Sequence, residues 1–263
     1  MTKTIEVSRV KAFEDNYIWL IHSLNPKNDK GIIIVDPGEH QPVIEQIEIH
    51  HYVPAAIFIT HHHGDHTGGV KKLVEQYNIP VYGPKNENIA SVTTPLDNSQ
   101  KVSLPDLNLE FSILDVPGHT RGHIAYLGHG SLFIGDTLFA GGCGRLFEGT
   151  GQQMHHSLSQ LLTLNPNTLV YCAHEYTSDN LNFAIQVEPE NQALIERISE
   201  TKELRQHNKA TVPSLLSVEL ATNPFLRFNE NTVKLAAQEY TGKTLLTADA
   251  VFTATRNWKD DID

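Results

Sequence analysis

Over its first 174 residues the chain alternates short apolar runs with turn residues. Runs of about four to eight apolar residues predict strands, because a buried strand needs no greater length. Val43, Ile44 and Ile47 recur instead at helical spacing, which predicts a helix over residues 42–50, and a second helix is predicted over residues 67–77. We predict strands at residues 4–10, 19–22, 31–35, 55–60 and 81–83, and a series of strands between residues 101 and 134.

The pattern becomes helical after residue 174. The helical segments are separated by Pro189, by a turn at residues 211–214 and by Gly242, all typical of helix ends and turns. We predict helices at residues 178–188, 191–208, 230–240 and 248–259.

Residues 60–67 place four histidines and an aspartate directly after a predicted strand. In an extended chain residues i and i+2 share a face, so His61 and His63 can bind one cation while the histidine between them points away. The glycine that follows favours a turn, and this turn directs Asp65 and His66 towards a neighbouring cation. We interpret the segment as a metal-binding loop for two ions, with a surface histidine cluster as the alternative.

Three later strands are each followed by a residue that can bind a metal. A single histidine or aspartate at a strand end usually caps the strand or makes a hydrogen bond. Three of them, together with the loop at residues 60–67, predict a metal centre built from the ends of several strands. The strands are predicted at residues 109–116, 131–135 and 168–173, and the ligands after them are His119, Asp136 and His174.

Several motifs resemble a known family. THHHGDHTGG from residue 60, PGHTRGH from residue 117, GDTLF from residue 135 and CAHEY from residue 172 resemble the metallo-β-lactamase superfamily. GCGRLFEGT from residue 142 and an Arg-x-x-Lys pair near the C-terminal end make the chain similar to glyoxalase II, the hydroxyacylglutathione hydrolases. The resemblance implies an α/β protein, a metallo-β-lactamase αβ/βα sandwich with a small C-terminal all-helical domain. The expected catalytic domain spans residues 1–174, and the expected helical substrate-binding domain spans residues 175–263.

The implied activity is hydrolysis of S-(2-hydroxyacyl)glutathione thioesters, with S-D-lactoylglutathione giving D-lactate and glutathione in methylglyoxal degradation. A hydroxide that bridges two divalent metal ions would attack the thioester carbonyl. Zn2+ suits imidazole and carboxylate ligands, and iron and manganese also suit them. We expect His61, His63 and His119 at one ion, Asp65, His66 and His174 at the other, and Asp136 between them, with Asp136, Asp65 and His66 also assigned to catalysis.

Other residues receive supporting roles. The resemblance implies that Arg145, Tyr176, Arg256 and Lys259 bind the anionic glutathione thioester. Asp36 and His123 are expected to support the metal-binding histidines from behind, although Asp36 would also suit a simple turn. A lactonase, a β-lactamase, a persulfide dioxygenase and a non-catalytic metal-storage protein are the alternatives.

Composition and sequence pattern limit the partners and the location that we expect. A formal net charge of −11 opposes binding to nucleic acid. The N-terminal residues lack an apolar signal core, and no apolar run approaches the length that spans a bilayer, so no membrane association and a cytoplasmic location are expected.

Cys143 and Cys172 are too few for a disulfide framework and are expected to be thiols, although Cys143 could in principle be a nucleophile. No heptad run is evident, so a monomer is expected.

Overall fold

The computed structural model describes residues 4–24 and 30–262. The chain folds into two compact units. The first unit comprises Met1–Asp115 with Gly122–Gly135, and the second comprises Val116–Arg121 with Asp136–Asp263.

The first unit contains a six-stranded sheet in the order β1 to β6. β1 and β2 form an antiparallel hairpin, β2 pairs antiparallel with β3, and the pairs from β3 to β6 are parallel. Every residue of β3 is buried, as a central strand covered on both faces requires. The elements are β1 (Ile5–Ala12), β2 (Asn16–Ser23), β3 (Gly31–Val35), α1 (Gln41–His50), β4 (Val53–Phe58), α2 (Gly64–Thr67), α3 (Val70–Tyr77), β5 (Val81–Pro84) and β6 (Thr94–Leu96).

The same unit also contains an antiparallel meander of four strands, β7 (Lys101–Leu104), β8 (Leu109–Asp115), β9 (Ile124–Gly128) and β10 (Ser131–Gly135). Tyr126 of β9 stacks on Phe58 of β4, with ring centroids 4.3 Å apart. The Tyr126 hydroxyl lies within hydrogen-bonding distance of two carbonyl oxygens, at 2.9 Å from Ile59 and 3.1 Å from Tyr82. This aromatic contact joins the meander to the first sheet close to the loop at residues 60–67.

The second unit is mainly helical. Its strands form two short antiparallel pairs, β11 with β12 and β13 with β14. Its longest helices, α6 and α9, each contain 15 residues. The elements are β11 (Leu138–Phe139), β12 (Gly142–Cys143), α4 (Gly151–Leu161), β13 (Leu169–Cys172), α5 (Thr177–Val187), α6 (Gln192–Gln206), β14 (Ser214–Leu215), α7 (Leu216–Thr222), α8 (Asn231–Thr241) and α9 (Ala248–Ile262).

Three helices differ from the sequence prediction. The helix predicted over residues 67–77 is interrupted, and the chain forms α2 and α3 with Gly68 and Gly69 between them. A Cβ on Gly68 would lie 2.7 Å from the carbonyl oxygen of Gly38, so close backbone approach requires glycine there. The helices α4 and α7 are absent from the sequence prediction. α4 nevertheless carries a readable signal, a capping box in which Thr150 accepts from the Gln153 backbone N–H.

Within the described residues no helix is both long enough and apolar enough to cross a membrane.

Candidate metal centre

Asp36 anchors the start of the histidine-rich loop. It follows β3 with a left-handed backbone at φ 50°, and its side chain is buried. The Thr60 backbone N–H donates to Asp36 Oδ1 at 2.8 Å, and the Thr60 hydroxyl donates to Oδ2 at 2.7 Å. The Nδ1 atom of His66 lies 3.1 Å from the same Oδ2 atom. One carboxylate therefore contacts residues at both ends of the loop.

His61 and His63 lie side by side. The Nε2 atom of His61 is 3.1 Å from Nδ1 of His63, and Nδ1 of His61 is 3.1 Å from the Thr60 hydroxyl. His63 has an extended backbone, at φ −58° and ψ 148°. The Nδ1 atom of His62 lies instead 2.9 Å from Oε2 of Glu87. The Nδ1 atom of His62 is therefore directed to Glu87, although its ring centroid lies 4.9 Å from that of His63.

His66 and Asp65 come together on the next turn of the chain. The Nε2 atom of His66 is 3.4 Å from Asp65 Oδ2, and Asn16 of β2 donates from its side-chain amide to that oxygen at 3.0 Å. His66 is completely buried and Asn16 is nearly so. Sequence reasoning missed Asn16, because nothing in the pattern places the start of β2 beside a loop that lies 49 positions further along the chain.

Asp136, His119 and His174 form a third set of contacts. The Oδ2 atom of Asp136 lies 3.5 Å from Nε2 of His119 and 3.3 Å from Nε2 of His174. The other ring nitrogen of His119 donates to the carbonyl oxygen of Arg145 at 2.8 Å, which orients its Nε2 atom towards the carboxylate. All three side chains are buried. Gly144 permits this geometry, since a Cβ there would fall 1.9 Å from the backbone oxygen of Asp136.

The seven predicted ligands form two groups, one in each unit, and all seven belong to the side chains that could hold a metal ion. Four bonds of about 2.0–2.2 Å in a tetrahedral site place ligand atoms roughly 3.3–3.6 Å apart, and the separations of 3.1 to 3.5 Å within each group fall close to that range. Imidazole nitrogens and carboxylate oxygens suit divalent cations. The groups are His61, His63, Asp65 and His66 in the first unit, and His119, Asp136 and His174 in the second.

His123 packs behind the loop. Its ring stacks on that of His61, with centroids 4.6 Å apart and planes 17° apart, and its Nδ1 atom donates to the carbonyl oxygen of Ile124 at 3.0 Å. Gly135 has φ 50°, and a Cβ there would lie 2.9 Å from the His123 ring. The supporting roles of Asp36 and His123 stay predictions.

The residues predicted to bind substrate are placed in the second unit. Arg145 is half-exposed, and its Nε atom lies 3.3 Å from Asp260 Oδ1. Arg256 has only 1% of its surface exposed, and it donates to the Cys143 carbonyl oxygen at 2.8 Å and to Asp260 Oδ1 at 3.1 Å. Lys259 is likewise buried, with Nζ 5.9 Å from the centre of the Phe183 ring. Asp260 therefore joins two of the predicted cations, which the sequence did not indicate.

Tyr176 lies next to a candidate ligand. Its ring stacks on that of His174 at 4.7 Å and 10°, and Phe139 packs edge-on against both rings, at 5.7 Å from His174 and 5.3 Å from Tyr176. The substrate-binding roles of Tyr176, Arg145, Arg256 and Lys259 stay predictions.

Comparison with known proteins identifies the family. The family model described as Metallo-beta-lactamase superfamily matches residues 13–174, and the model described as Hydroxyacylglutathione hydrolase C-terminus matches residues 175–262. The chain is 50% identical to hydroxyacylglutathione hydrolase of Nitrosomonas eutropha over 98% of this chain and 99% of that protein. It is 48% identical to the protein of the same name from Aliivibrio fischeri, with the same coverage of both chains. The chain belongs to the hydroxyacylglutathione hydrolase family.

Solved structures agree with this fold. The crystal structure of the BLEG-1 B3 metallo-beta-lactamase resembles the chain with a TM-score of 0.64 at 20% identity, over 84% of this chain and 99% of that one. The predictions of a metallo-β-lactamase fold with a C-terminal helical region, and of a metal-binding hydrolase of this family, are confirmed.

Neither cysteine is suited to nucleophilic attack. Cys143 and Cys172 are both buried, and neither is in a disulfide. Burial raises the pKa of Cys143 to about 11, despite the nearby Arg256 guanidinium, and burial raises the pKa of Cys172 to about 12. Both side chains are therefore neutral thiols near pH 7.

Proposed function

We propose that the chain hydrolyses S-(2-hydroxyacyl)glutathione thioesters, and that S-D-lactoylglutathione, cleaved to D-lactate and glutathione, is its substrate. One observation carries the proposal: two groups of metal-binding side chains occur in a chain that matches hydroxyacylglutathione hydrolases along nearly its whole length. Burial of both cysteines argues against a cysteine nucleophile, which supports the proposal of a metal-activated water.

In the proposed mechanism the seven side chains would hold two divalent ions, with Zn2+ as the proposed metal and iron or manganese as alternatives. Two such ions would activate water at neutral pH and polarise the thioester carbonyl. Asp136 lies within 3.5 Å of both His119 and His174, which suits a carboxylate shared between the ions. Asp65 and His66 would be metal ligands, and the Asp36 carboxylate contacts Thr60 and His66 in the loop.

The departure of the glutathione thiolate needs no proton donor from the protein. A thiol has a pKa of about 8.5, so the glutathione sulfur can leave without a proton donated in the same step. No catalytic acid is therefore assigned. Asp65 acts as a ligand in this scheme, which removes it as a candidate general base.

We further propose that Arg145, Arg256 and Lys259 attract the carboxylates of glutathione, and that Tyr176 contacts the peptide portion. Guanidinium and ammonium groups bind carboxylates through charge-assisted hydrogen bonds. The proposed division is a catalytic domain at residues 1–174 and a substrate-binding domain at residues 175–263, and the ranges of the two family matches support it. We also propose a monomeric, cytoplasmic enzyme.

Steady-state kinetics on the metal-loaded protein test the proposal. The initial rate is measured with S-D-lactoylglutathione, with a lactone and with a β-lactam, and oxygen uptake is measured with glutathione persulfide. We expect kcat/KM for the glutathione thioester to exceed the other values by at least about a hundredfold, and a chelator to abolish the activity until metal is restored. A higher kcat/KM for the lactone or the β-lactam, or persulfide-dependent oxygen uptake, would replace this proposal with the corresponding activity.

A further inference from the structure

A short hairpin, Leu138–Cys143, connects two parts of the metal centre. β11 and β12 form its sides, with Leu138 paired to Cys143. At its base the Gly144 backbone N–H donates to the Thr137 carbonyl oxygen at 3.3 Å. Asp136 precedes this base, and Arg145, whose carbonyl oxygen accepts from His119, follows it. A displacement of the hairpin would therefore shift the Asp136 carboxylate and the acceptor that orients His119.

A buried carboxylate binds the tip of the hairpin. The Gly141 backbone N–H donates to Glu219 Oε2 at 2.8 Å, and Glu219, in α7, is completely buried. Its other carboxylate oxygen accepts from Arg197 of α6, which is also buried. Burial alone would raise the pKa of Glu219, but Arg197 holds that pKa below its usual range, so the carboxylate is charged at neutral pH.

Two asparagine side chains bind the carbonyl oxygens of the same tip. Asn223, at the end of α7, donates from Nδ2 to the carbonyl oxygens of Phe139 and Gly142, at 3.2 and 3.0 Å. Asn180 of α5 donates to the carbonyl oxygen of Ala140 at 3.1 Å. Both asparagines are buried. Backbone groups that a two-residue strand pair leaves without sheet partners are thus bound by side chains from the helices.

The packing at the tip is also close. A Cβ on Gly142 would lie 2.4 Å from Cγ of Asn180, and a Cβ on Gly141, at φ 72°, would lie 2.7 Å from Cδ2 of Leu181. At the base, Arg256 donates to the Cys143 carbonyl oxygen at 2.8 Å. The hairpin is therefore held along its length by polar and steric contacts with the helices.

A buried Glu–Arg pair carries a large desolvation cost, and apolar side chains of similar volume often serve stability equally well. A contribution to stability therefore does not by itself explain why the charged Glu219–Arg197 pair contacts the tip of the hairpin. We propose that Glu219, together with Arg197, Asn223 and Asn180, is a positioning device for the metal centre, which fixes the Leu138–Cys143 hairpin and through it the geometry of Asp136 and His119. The proposal concerns metal retention and does not depend on which substrate is hydrolysed.

The test compares two matched variants of the full-length, metal-loaded protein. Glu219→Gln removes the charge from the pair that binds the hairpin. Glu188→Gln removes the charge from another buried Glu in the same unit, which pairs with Arg227 at 2.6 Å and also accepts from Asn191 and Thr232, outside the hairpin. Each variant is loaded with Zn2+, and its metal affinity is measured by competition with a chromophoric chelator. Thermal unfolding records stability, and the visible spectrum of the Co2+ form records ligand geometry.

We expect both variants to unfold at lower temperature, but only Glu219→Gln to lose metal affinity, by about tenfold, and to alter the Co2+ spectrum. Equal metal affinities in Glu219→Gln and the parent protein would overturn the proposal. A loss of affinity in Glu188→Gln as large as in Glu219→Gln would also overturn it, because general destabilisation would then explain the effect.

If Glu219→Gln fails to fold, a milder pair of variants tests the same proposal. Asn180→Ala removes the hydrogen bond to Ala140, whereas Asn191→Ala removes a helix cap and a bond to Ala221, at 3.2 and 2.9 Å, without reaching the hairpin. Weaker metal binding in Asn180→Ala than in Asn191→Ala would support the proposal. Equal metal binding in the two variants would contradict it.

Discussion

His62 contacts Glu87, whereas the two histidines that flank it in sequence contact each other. The Nδ1 atom of His62 lies 2.9 Å from Oε2 of Glu87, and His61 and His63 approach each other at 3.1 Å through Nε2 and Nδ1. The second oxygen of Glu87 accepts from the Gly122 backbone N–H at 3.2 Å. Through Glu87 the middle histidine therefore links the loop to a neighbouring backbone segment.

The first prediction follows from the different contacts of the three histidines. His62→Ala should keep the parent metal content, because its ring contributes no ligand atom to either group. His61→Ala and His63→Ala should each lose metal, since each removes a candidate ligand. Metal analysis after gel filtration measures the difference. Equal loss of metal in His62→Ala and His61→Ala would show that the loop binds metal in a different way.

The second prediction concerns Asp136. Asp136→Asn should lower metal content and nearly abolish turnover, since a neutral amide cannot balance two cations that two-metal sites hold roughly 3.5–4 Å apart. Metal analysis is performed beside kinetics with S-D-lactoylglutathione. Retention of two metals with the parent rate would refute the role of Asp136 between the ions.

The third prediction concerns Asp36, whose carboxylate contacts Thr60 and His66. Asp36→Ala removes the acceptor for the Thr60 backbone N–H and hydroxyl and the partner of His66 Nδ1. We expect metal affinity to fall by about 10- to 100-fold, as is typical when a partner of a ligand is lost. Chelator competition measures the loss. Asp115→Ala is the matched control, since Asp115 also ends a strand but belongs to neither metal-binding group. Equal metal affinity in both variants would leave Asp36 with a turn role only.

Some of this site could be predicted from local sequence and some could not. The contact between His61 and His63 follows the alternation of an extended chain, and His174 lies two residues after β13, because these rules act over a few residues. The contacts of Asn16 with Asp65 and of Asp260 with Arg145 join residues 49 and 115 positions apart. Such contacts depend on how whole elements pack, which no local period encodes.

The fold likewise contains elements that the local sequence predicts and elements that it does not. The apolar run at β3 is visible in the sequence, because five consecutive buried residues make a central strand. The break between α2 and α3 falls at Gly68 and Gly69, a local signal that the prediction of one helix overlooks, whereas the approach of Gly68 to the Gly38 backbone, a contact over 30 positions, has no local signal. Helix α7 was missed because it is only seven residues long and is held by buried polar contacts of Glu219 instead of an extended apolar stripe.

The fourth prediction concerns pH and the thiols. Cys143 has a pKa raised to about 11 by burial, so at pH 8 roughly one molecule in a thousand carries the thiolate. Iodoacetamide at pH 8 should therefore leave the native enzyme unmodified and active, while the protein unfolded in urea is alkylated at both cysteines. Mass spectrometry and residual activity measure the outcome. Rapid alkylation of native Cys143 with loss of activity would restore the possibility of a cysteine nucleophile.

The fifth prediction separates binding from stability among the predicted substrate cations. Arg145 is half-exposed and makes an ion pair of a class that contributes about 0–1 kcal/mol, so Arg145→Ala should barely change the unfolding temperature. Arg256 is buried and donates to the Cys143 carbonyl oxygen, so Arg256→Ala should lower the free energy of unfolding by about 1–3 kcal/mol. Both variants should raise KM for S-D-lactoylglutathione while kcat changes less.

The control for this last prediction is Arg205→Ala, since Arg205 is also partly exposed and lies 3.5 Å from the Glu175 carboxylate, much as Arg145 lies 3.3 Å from that of Asp260. We expect Arg205→Ala to leave KM unchanged. A loss of one charge-assisted hydrogen bond, worth about 1.5–3 kcal/mol, corresponds to a rise in KM of roughly 10- to 150-fold. A short thioester that lacks glutathione should be cleaved at the same low rate by all three variants, because it presents no carboxylate to the cations. If the double variant Arg256→Ala, Lys259→Ala kept the parent KM for the glutathione thioester, the buried cations would serve only to stabilise the fold, and Arg145 would be the remaining candidate for substrate binding.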